Sequence, residues 1–248
     1  MKLEQLLEGV PFTLAQGSLD TEISDIIYDS RKAAPGLLFV CIVGTQRDSH
    51  EFAADCAAKG VSVLVIQHDI DLSAMPGVTV VKVESSRYAM ALMSGNLFGN
   101  PSRQMTMIGV TGTKGKTTVA ETACSVMNRM GLACGVIGSN GAAYAGKHVG
   151  TSNTTPESYE LMRLFRAMRD EGVRYVVMEV SSQALARHRV DGITFDTAVF
   201  TNLSPDHIGT EEHPDYAHYR DSKKRLFAQC RHGIFNADDP EAEYMMAG

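Results

Sequence analysis

The segment GVTGTKGKTT, residues Gly109–Thr118, is the stretch from which the fold of this chain can be predicted. It joins an apolar run, Met105–Val110, to a segment of helical periodicity that begins at Thr117. Glycines let backbone N–H groups wrap around phosphate oxygens, and a helix N-terminus adds positive potential. The strict pattern G-x-x-x-x-G-K-S/T fails by one residue, because Val110 occupies the first glycine position and Gly112 follows two residues later. The segment predicts a variant phosphate loop, with an ordinary glycine-rich turn as the alternative.

Two side chains of this loop have specific predicted roles. Lys116 would reach the β- and γ-phosphates of a nucleotide, and the hydroxyl of Thr117 would bind Mg²⁺. The other residues predicted to surround the phosphates are Gly112, Thr113, Lys114, Gly115 and Thr118.

Strands and helices alternate after the loop. The predicted strands are Met105–Val110, Ala133–Ile137, Tyr175–Val180, Thr197–Thr201 and Gly233–Asn236. This alternation predicts an α/β fold with a mainly parallel sheet covered by helices. Ligands of such sheets bind at the carboxyl ends of the strands, where the phosphate loop lies.

Two helices are predicted between these strands. The first is Thr117–Met130, ended by Gly131, and the second begins with Thr155 as its cap and Pro156 in its first turn. The apolar stripe predicted for the first helix consists of Val119, Ala123, Val126, Met127 and Met130. The stripe predicted for the second consists of Leu161, Leu164, Phe165 and Met168, with Gly172 ending the helix.

The turn-forming residues 99–102 predict a boundary between two domains, residues 1–100 and residues 101–248. In the first domain the predicted strands are Ile23–Tyr28, Leu37–Val43 and Val61–Ile66, and the predicted helix is Glu51–Lys59, stopped by Gly60. The first domain is therefore predicted to be a small α/β domain.

The composition narrows the class of protein. The chain has 248 residues, 44% of them hydrophobic and 21% charged, which fits two globular domains. A net charge of -6 argues against a nucleic-acid partner. The sequence has no apolar run long enough for a bilayer, and its start, MKLEQLLEGV, lacks the apolar core of a signal peptide. Five scattered cysteines indicate reduced thiols, so we expect a cytoplasmic protein without a membrane partner.

Three further residues are candidates for a catalytic site. Glu179 ends the strand YVVMEV and could hold Mg²⁺, or equally be a capping or salt-bridged acid. His207, in NLSPDHIG, is on general grounds a solvated or hydrogen-bonded loop residue, and Lys223, in HYRDSKKRLF, a solvated charge. The acids and histidines nearby match no usual zinc spacing, and His213 and His218 are interpreted as loop or helix-surface residues.

Six ordered segments resemble those of the Mur ligases, which extend the peptide of the bacterial peptidoglycan precursor. They are TGTKGKTT, SNTTPES, MEVSSQAL, ARHRV, NLSPDHIG and HYRDSKKRLF. The resemblance is strongest to the MurE type, the UDP-N-acetylmuramoyl-tripeptide synthetases. The segment YDSRKAAPGLLFVCIVGTQRDSHEF resembles the UDP-binding domain of that family, so the resemblance spans residues 20–240.

The resemblance implies a role for each matching residue. Residues 112–118 match the ATP loop, and Lys223 matches a carbamylated lysine, with Lys224 as the less favoured neighbour. The implied catalytic residues are Lys116, Glu179, His207 and Lys223. The implied metal ligands are Thr117, Glu179, His207 and Lys223, so ATP and Mg²⁺ are the expected cofactors. The implied substrate contacts are Ser30, Arg31, Thr45 and Gln46 near the uridine diphosphate, Asn153, Thr154 and Thr155 at the muramoyl-dipeptide, and Ser181, Arg187 and Arg189.

The implied reaction adds a free amino acid, L-lysine or meso-diaminopimelate, to UDP-MurNAc-L-Ala-D-Glu through an acyl phosphate. The loop SPDHIGTEEHP resembles lysine-adding members more than diaminopimelate-adding ones. Members of the family are about twice as long and have a C-terminal domain that binds the amino acid. We therefore expect a fragment or a truncated reading frame, with little or no activity alone.

Three alternatives remain open from the sequence. The chain could be another ligase of this superfamily, such as a folylpolyglutamate synthetase or a different Mur enzyme. It could instead be a truncated, non-catalytic paralogue that binds nucleotide or precursor, or a generic phosphate-loop phosphotransferase. The last would leave SNTTPES and HYRDSKKRLF without explanation.

Overall fold

The structure is a computed structural model that describes residues 1–206, 208–209 and 212–247. The chain forms two compact units, Met1–Gly99 and Asn100–Gly248. None of the helices in the described ranges is both long enough and apolar enough to cross a membrane.

The first unit contains one five-stranded sheet. Its strands are β1 (Thr13–Gln16), β2 (Asp25–Ile27), β3 (Leu37–Val40), β4 (Val63–Ile66) and β5 (Thr79–Lys82), in the order β1-β5-β4-β3-β2. Strands β2 to β5 are parallel, and β1 pairs antiparallel with β5. Its helices are α1 (Leu3–Leu6), α2 (Ala53–Ala58) and α3 (Ser86–Leu97). The predicted small α/β fold is confirmed.

Strands β1 and β5 and helices α1 and α3 were not predicted in the first unit. Strand β1 reads TLAQ and is largely exposed, so it has no apolar run. Strand β5 has only four residues, although its first three are buried. The predicted helix Glu51–Lys59 begins instead as a 3-10 turn, Ser49–Phe52, in which the Asp48 carboxylate accepts from the backbone N–H of His50. Buried side chains of β3, β4 and α2, including Phe39, Leu64 and Cys56, form the core.

The second unit contains a seven-stranded sheet. Its strands are β6 (Thr106–Thr111), β7 (Cys134–Gly138), β8 (Gly141–Tyr144), β9 (Lys147–Val149), β10 (Tyr175–Glu179), β11 (Phe195–Phe200) and β12 (Cys230–Phe235). Its helices are α4 (Lys116–Arg129), α5 (Ser158–Asp170), α6 (Ser182–Ala186), α7 (Tyr216–Ala228) and α8 (Ala242–Met246). The order is β12-β11-β6-β10-β7-β8-β9. The first five strands of that order are parallel, which confirms the predicted mainly parallel sheet, and the hairpin of β8 and β9 was not predicted.

The central strands of this sheet end level with one another. Glu179 at the end of β10 lies opposite Val110, and Phe200 at the end of β11 lies opposite Thr111. Residues that follow β6, β10 and β11 therefore emerge at one edge of the sheet, as expected for a ligand site in a parallel sheet.

The predicted apolar stripe of α4 is partly wrong. Val126 is 50% exposed and Met130 is 72% exposed, whereas Ala120 and Cys124 are buried. The helix lies close against the sheet and turns these small side chains towards it, with Met127 on the same face at a spacing of three to four residues.

The predicted start of α5 is also wrong. Thr155 and Pro156 precede the helix, whose N-cap is Glu157. The Thr155 hydroxyl is engaged elsewhere, because it donates to the backbone oxygen of Glu179 at 2.9 Å and accepts from the backbone N–H of Ser181 at 3.0 Å. The predicted apolar stripe is confirmed, since its four members, Leu161, Leu164, Phe165 and Met168, are all buried.

Candidate functional site

The loop between β6 and α4 needs glycine at two positions. Gly112 has φ +144°, and a Cβ there would lie 2.0 Å from Oγ1 of Thr201. Gly115, the N-cap of α4, has φ +83°, a left-handed conformation that other residues adopt at a cost. The glycines thus allow a tight loop that opens at a helix N-terminus, which is the geometry that binds phosphate.

Two residues that follow β11, Thr201 and Asn202, hold this loop in place by hydrogen bonds. Neither was predicted as a site residue. Thr201 Oγ1 and Asn202 Nδ2 donate to the backbone oxygen of Lys114, at 2.8 and 3.0 Å. The side-chain oxygen of Asn202 accepts from the backbone N–H of Lys114 at 3.0 Å. The backbone oxygen of Asn202 accepts from the backbone N–H of Thr113 at 2.8 Å. Both lie at or next to the NLSPDHIG segment, of which only Asp206 and His207 were weighed as possible metal ligands.

Lys116 is held inside the loop by backbone carbonyls. Its Nζ donates to the oxygens of Gly112 and Thr113, both at 3.0 Å. Burial is the main cause that lowers the pKa of this lysine, and the positive charge of Lys114 acts in the same direction, while Glu179 opposes them. The ammonium group is therefore positioned at the loop before any phosphate arrives.

Glu179 is a buried acid without a cationic partner among the described residues. It is 1% exposed, and its Oε1 accepts from the backbone N–H of Ser139 at 2.8 Å. Its Oε2 has only a long contact with the Ser139 hydroxyl, at 3.5 Å. A salt-bridged role is thus not observed, and one carboxylate oxygen is left for a hard cation, which prefers such ligands.

Gly138 makes the room that this carboxylate occupies. A Cβ at Gly138 would lie 2.2 Å from Oε1 of Glu179. The glycine has an ordinary backbone conformation, so the requirement comes from close approach and not from strain.

Lys223 is buried, so the interpretation of an isolated solvated charge is wrong. Its side chain is 1% exposed, and Nζ donates to the oxygen of Gly112 at 3.0 Å and lies 4.5 Å from the centre of the Tyr219 ring. Burial, together with the charge of Lys116, lowers the pKa of Lys223 to about 7. The neighbouring Lys224 is only partly buried and lies over the ring of Tyr244.

A cleft of about 410 Å³ lies at the carboxyl edge of the sheet. Most of the predicted ATP and substrate residues of this unit line it: Thr113, Lys114, Gly115, Lys116, Thr117, Asn153, Thr154, Thr155, Glu179, Ser181 and Arg189. Ser139, Ser182, Gln183 and Glu212 also line it and were not predicted. Two predicted residues, Thr118 and Arg187, are not among the residues that line the cleft, and Thr118 is exposed. Lys223 contacts the loop at Gly112. His207 lies outside the described residues.

Arg189 is engaged within the protein. Its guanidinium forms an ion pair with Glu157 at 2.8 Å and donates to the backbone oxygen of Thr155 at 3.1 Å. Since the arginine is buried, this pair fixes the segment that contains the predicted substrate residues. Arg189 therefore organises the cleft wall through Thr155 and Glu157.

The other predicted substrate residues lie in the first unit. Ser30 is partly buried, and Arg31, which is exposed, forms an ion pair with Asp29 at 2.8 Å. Thr45 is exposed, and Gln46 lines a cavity of about 650 Å³ together with Asp48, His50 and His68.

His213 lies in the loop before α7, as one of the two interpretations had it, but it is buried and does not lie on the surface. It is 1% exposed, with Nε2 2.9 Å from the Ser182 hydroxyl and Nδ1 2.8 Å from Nδ1 of His218, which is partly buried. His213 therefore joins α6 to the first turn of α7, the helix that carries Lys223.

Comparison with known proteins gives one family. The Mur ligase middle domain matches residues 110–248. The UDP-N-acetylmuramoyl-L-alanyl-D-glutamate–2,6-diaminopimelate ligase of Clostridium perfringens is 42% identical over 240 residues, which are 97% of this chain and 49% of that protein. The chain thus spans about half the length of the curated relatives it matches.

Solved structures show the same fold. A UDP-N-acetylmuramoyl-L-alanyl-D-glutamate–2,6-diaminopimelate ligase superposes with a TM-score of 0.81 at 20% identity, over 100% of this chain and 49% of that one. A Mycobacterium tuberculosis folylpolyglutamate synthase, solved with ADP and AMPPCP, gives a TM-score of 0.51 at 18% identity and covers 62% of this chain and 42% of its own. The domain match, the identity to the clostridial ligase and the fold agree, and the chain belongs to the Mur ligase family.

Proposed function

We propose that this chain supplies the ATP- and precursor-binding part of a ligase that extends UDP-MurNAc-L-Ala-D-Glu by one amino acid. The observation that carries the proposal is the single cleft that contains Lys116, Glu179 and the segment Asn153–Thr155. A phosphate loop, a buried acid and polar substrate residues are thereby within reach of one another. In this proposal residues 1–100 form the UDP-binding domain and residues 101–248 belong to the ATP-binding domain.

The first half-reaction needs positive charge at the phosphates. The γ-phosphoryl group of ATP transfers to the D-glutamyl carboxylate, which forms an acyl phosphate and releases ADP. Lys116 and the N-terminus of α4 stabilise the charge that develops on the phosphate oxygens. Glu179, Thr117, His207 and the modified Lys223 are the proposed Mg²⁺ ligands, and the metal supplies further charge neutralisation when bound. Oε2 of Glu179 supports this assignment, because its contact with the Ser139 hydroxyl is long, at 3.5 Å.

The second half-reaction needs no protein nucleophile. The amine of the incoming amino acid attacks the acyl carbon, the C–O bond to phosphate breaks, and amide and inorganic phosphate leave. The structure supports this scheme because the described residues that line the cleft are polar or charged of both signs, with no cysteine among them. Closeness and orientation of the two substrates would supply much of the acceleration.

The environment of Lys223 supports its proposed modification. A neutral amine adds to CO₂, and loss of one proton gives a carbamate whose single negative charge is shared by two oxygens. A pKa of about 7 leaves a large neutral fraction at physiological pH, whereas an exposed lysine would be almost wholly charged. Burial against Gly112 and Tyr219 therefore favours Lys223 over Lys224 as the modified residue.

We propose diaminopimelate as the added amino acid. The clostridial relative and the solved ligase are both named for diaminopimelate, which outweighs the lysine-like loop SPDHIGTEEHP. That loop includes His207, Thr210 and Glu211, which lie outside the described residues. Ligase assays with each amino acid, on this chain and on any longer protein that contains it, test this choice.

Calorimetric titration of the chain with UDP-MurNAc-L-Ala-D-Glu tests the proposal. UDP-MurNAc-L-Ala is the matched control, because it lacks only the reacting D-glutamate. Binding that prefers the dipeptide precursor supports the proposal. Equal binding of both ligands, or tighter binding of a folate, contradicts it and favours another ligase of the superfamily.

A further inference from the structure

A second cavity of about 610 Å³ lies at the opposite end of the sheet from the phosphate loop. Its walls come from the amino ends of β6, β10, β11 and β12, four neighbouring strands of the sheet. The proposed ligase mechanism uses none of its residues. Its volume falls within the range typical of small-molecule sites.

Three arginines, Arg103, Arg174 and Arg231, line this cavity, which we call the arginine cleft. Its lining also includes Thr194 and Asp196. Asp196 is the one acid among the lining residues. A concentration of positive charge is unexpected in a chain whose net charge is -6. It indicates a place where anions are attracted.

Two of these guanidinium groups are available to a ligand. Arg231 forms an ion pair with Asp196 at 3.1 Å, and Asp196 also accepts from the backbone N–H of Met107 at 2.9 Å. Within the described ranges, no hydrogen bond or ion pair engages the side chain of Arg103 or Arg174. The carboxylate of Asp196 is thus already neutralised by Arg231, and the guanidinium groups of Arg103 and Arg174 remain as donors.

The strand register allows the arginines to converge. Thr106 lies opposite Tyr175, and Phe195 lies opposite Cys230, so Arg174 and Arg231 sit beside the starts of β10 and β12. These strands are separated by β6 and β11, and three strand spacings are about 14 Å. Arg103 precedes β6, between them. Side chains of this length can therefore contact two separate groups on one ligand.

We propose that the arginine cleft binds a small molecule carrying at least two oxyanion groups. The planar guanidinium fork matches the oxygens of phosphate or carboxylate in bidentate fashion. The unpaired forks of Arg103 and Arg174 lie at the neighbouring strands β6 and β10, and Arg231 lies three strands from β10, so the cleft favours a ligand with two oxyanion groups over a single anion.

Calorimetric titration with tripolyphosphate and, in a separate arm, with citrate tests the proposal. The titrations use Lys116→Ala as background, because the phosphate loop would itself bind tripolyphosphate. The cleft variant adds Arg103→Gln and Arg174→Gln to that background. The matched control adds Arg163→Gln, which removes an exposed arginine of α5 that is not among the lining residues of the cleft.

We expect the Lys116→Ala chain to bind one equivalent of at least one of the two anions. The cleft variant should weaken that binding at least about tenfold, and the control should leave it unchanged. The arm that shows binding identifies phosphate or carboxylate as the preferred oxyanion. No binding of either anion in the Lys116→Ala chain, an unchanged affinity in the cleft variant, or an equal loss in the control overturns the proposal.

Discussion

Replacement of Gly138 by alanine should disable the acid at the end of β10 without touching it directly. The new Cβ would lie 2.2 Å from Oε1 and 2.9 Å from Cδ of Glu179. Ordinary contacts between such atoms are about 3.5 Å, so the carboxylate must withdraw by about 1.3 Å. That shift breaks the hydrogen bond from the backbone N–H of Ser139, which is 2.8 Å long.

The size of the effect follows from the role proposed for Glu179. Disturbing the groups that orient a metal ligand typically weakens metal affinity about 10–100-fold, or about 1.4–2.7 kcal/mol. We therefore expect Gly138→Ala to weaken the binding of Mg²⁺-AMPPCP by that factor. Binding of AMPPCP in EDTA should change little, because it depends on the phosphate loop. Loss of the buried hydrogen bond should also lower the melting temperature.

The assay is calorimetric titration with AMPPCP, with and without Mg²⁺, alongside thermal unfolding. Gly135→Ala is the matched control, since it adds a methyl group to the same strand. Its Cβ would meet Sδ of the flexible Met168 at 3.1 Å and would not meet Glu179. Glu179→Gln, which removes the charge without changing the size of the side chain, is the second test variant if Gly138→Ala does not fold. Unchanged Mg²⁺-dependent affinity in Gly138→Ala and in Glu179→Gln would refute the metal-binding role.

Three other predictions concern neighbouring residues. Lys116→Ala should abolish ATP binding, and calorimetry that finds the original affinity would contradict the phosphate-loop assignment. ¹³C NMR in labelled bicarbonate should show a carbamate that Lys223→Ala removes and Lys224→Ala retains. Its signal should fall as pH drops below about 7, since protonation of the amine, whose pKa is lowered to about 7, blocks CO₂ addition; a signal that rises on acidification would exclude Lys223. Arg189→Ala should lower the free energy of unfolding by about 3–5 kcal/mol in denaturant titrations, because it removes the buried cation of the ion pair with Glu157. A loss as small as that of an exposed arginine such as Arg163 would argue against this structural role.

The sequence predicts the phosphate loop and the parallel sheet because their signals are local. Gly112 and Gly115 are required by backbone geometry at their own positions. The parallel strands are short runs of apolar residues, of which β10, reading YVVME, is an example.

The burial of Lys223 and His213 could not be predicted in this way. Lys223 reaches Gly112, which is 111 residues away in the sequence, and His213 bonds Ser182 across 31 residues. A lysine in a polar helical segment has the same local pattern whether its face is solvated or covered. The low pKa of Lys223 can be explained only from the fold, whereas the family resemblance predicts a role at this position.

The missed β8–β9 hairpin and the α4 stripe have a different cause. Strand β8 reads GAAY, whose small residues give no β-branched signal, and its partner β9 is largely exposed. In α4 the buried residues are Ala120 and Cys124, which are smaller than the exposed Val126 and Met130, while Val119, Ala123 and Met127 of the predicted stripe are partly buried against the same cluster. Close packing against the sheet requires small side chains at the buried positions. Hydrophobic periodicity does not take side-chain size into account.

The carbonyl group of Gly112 receives hydrogen bonds from two lysines, Lys116 and Lys223, both at 3.0 Å. Two like charges thus share one acceptor, and a change of charge on either alters the electrostatic free energy of the other. The proposed carbamate at Lys223 would replace a cation by an anion beside Lys116, the residue proposed to meet the phosphates. By thermodynamic reciprocity, CO₂ would then act as an effector of nucleotide affinity, and the nucleotide would change the affinity of Lys223 for CO₂ by the same factor.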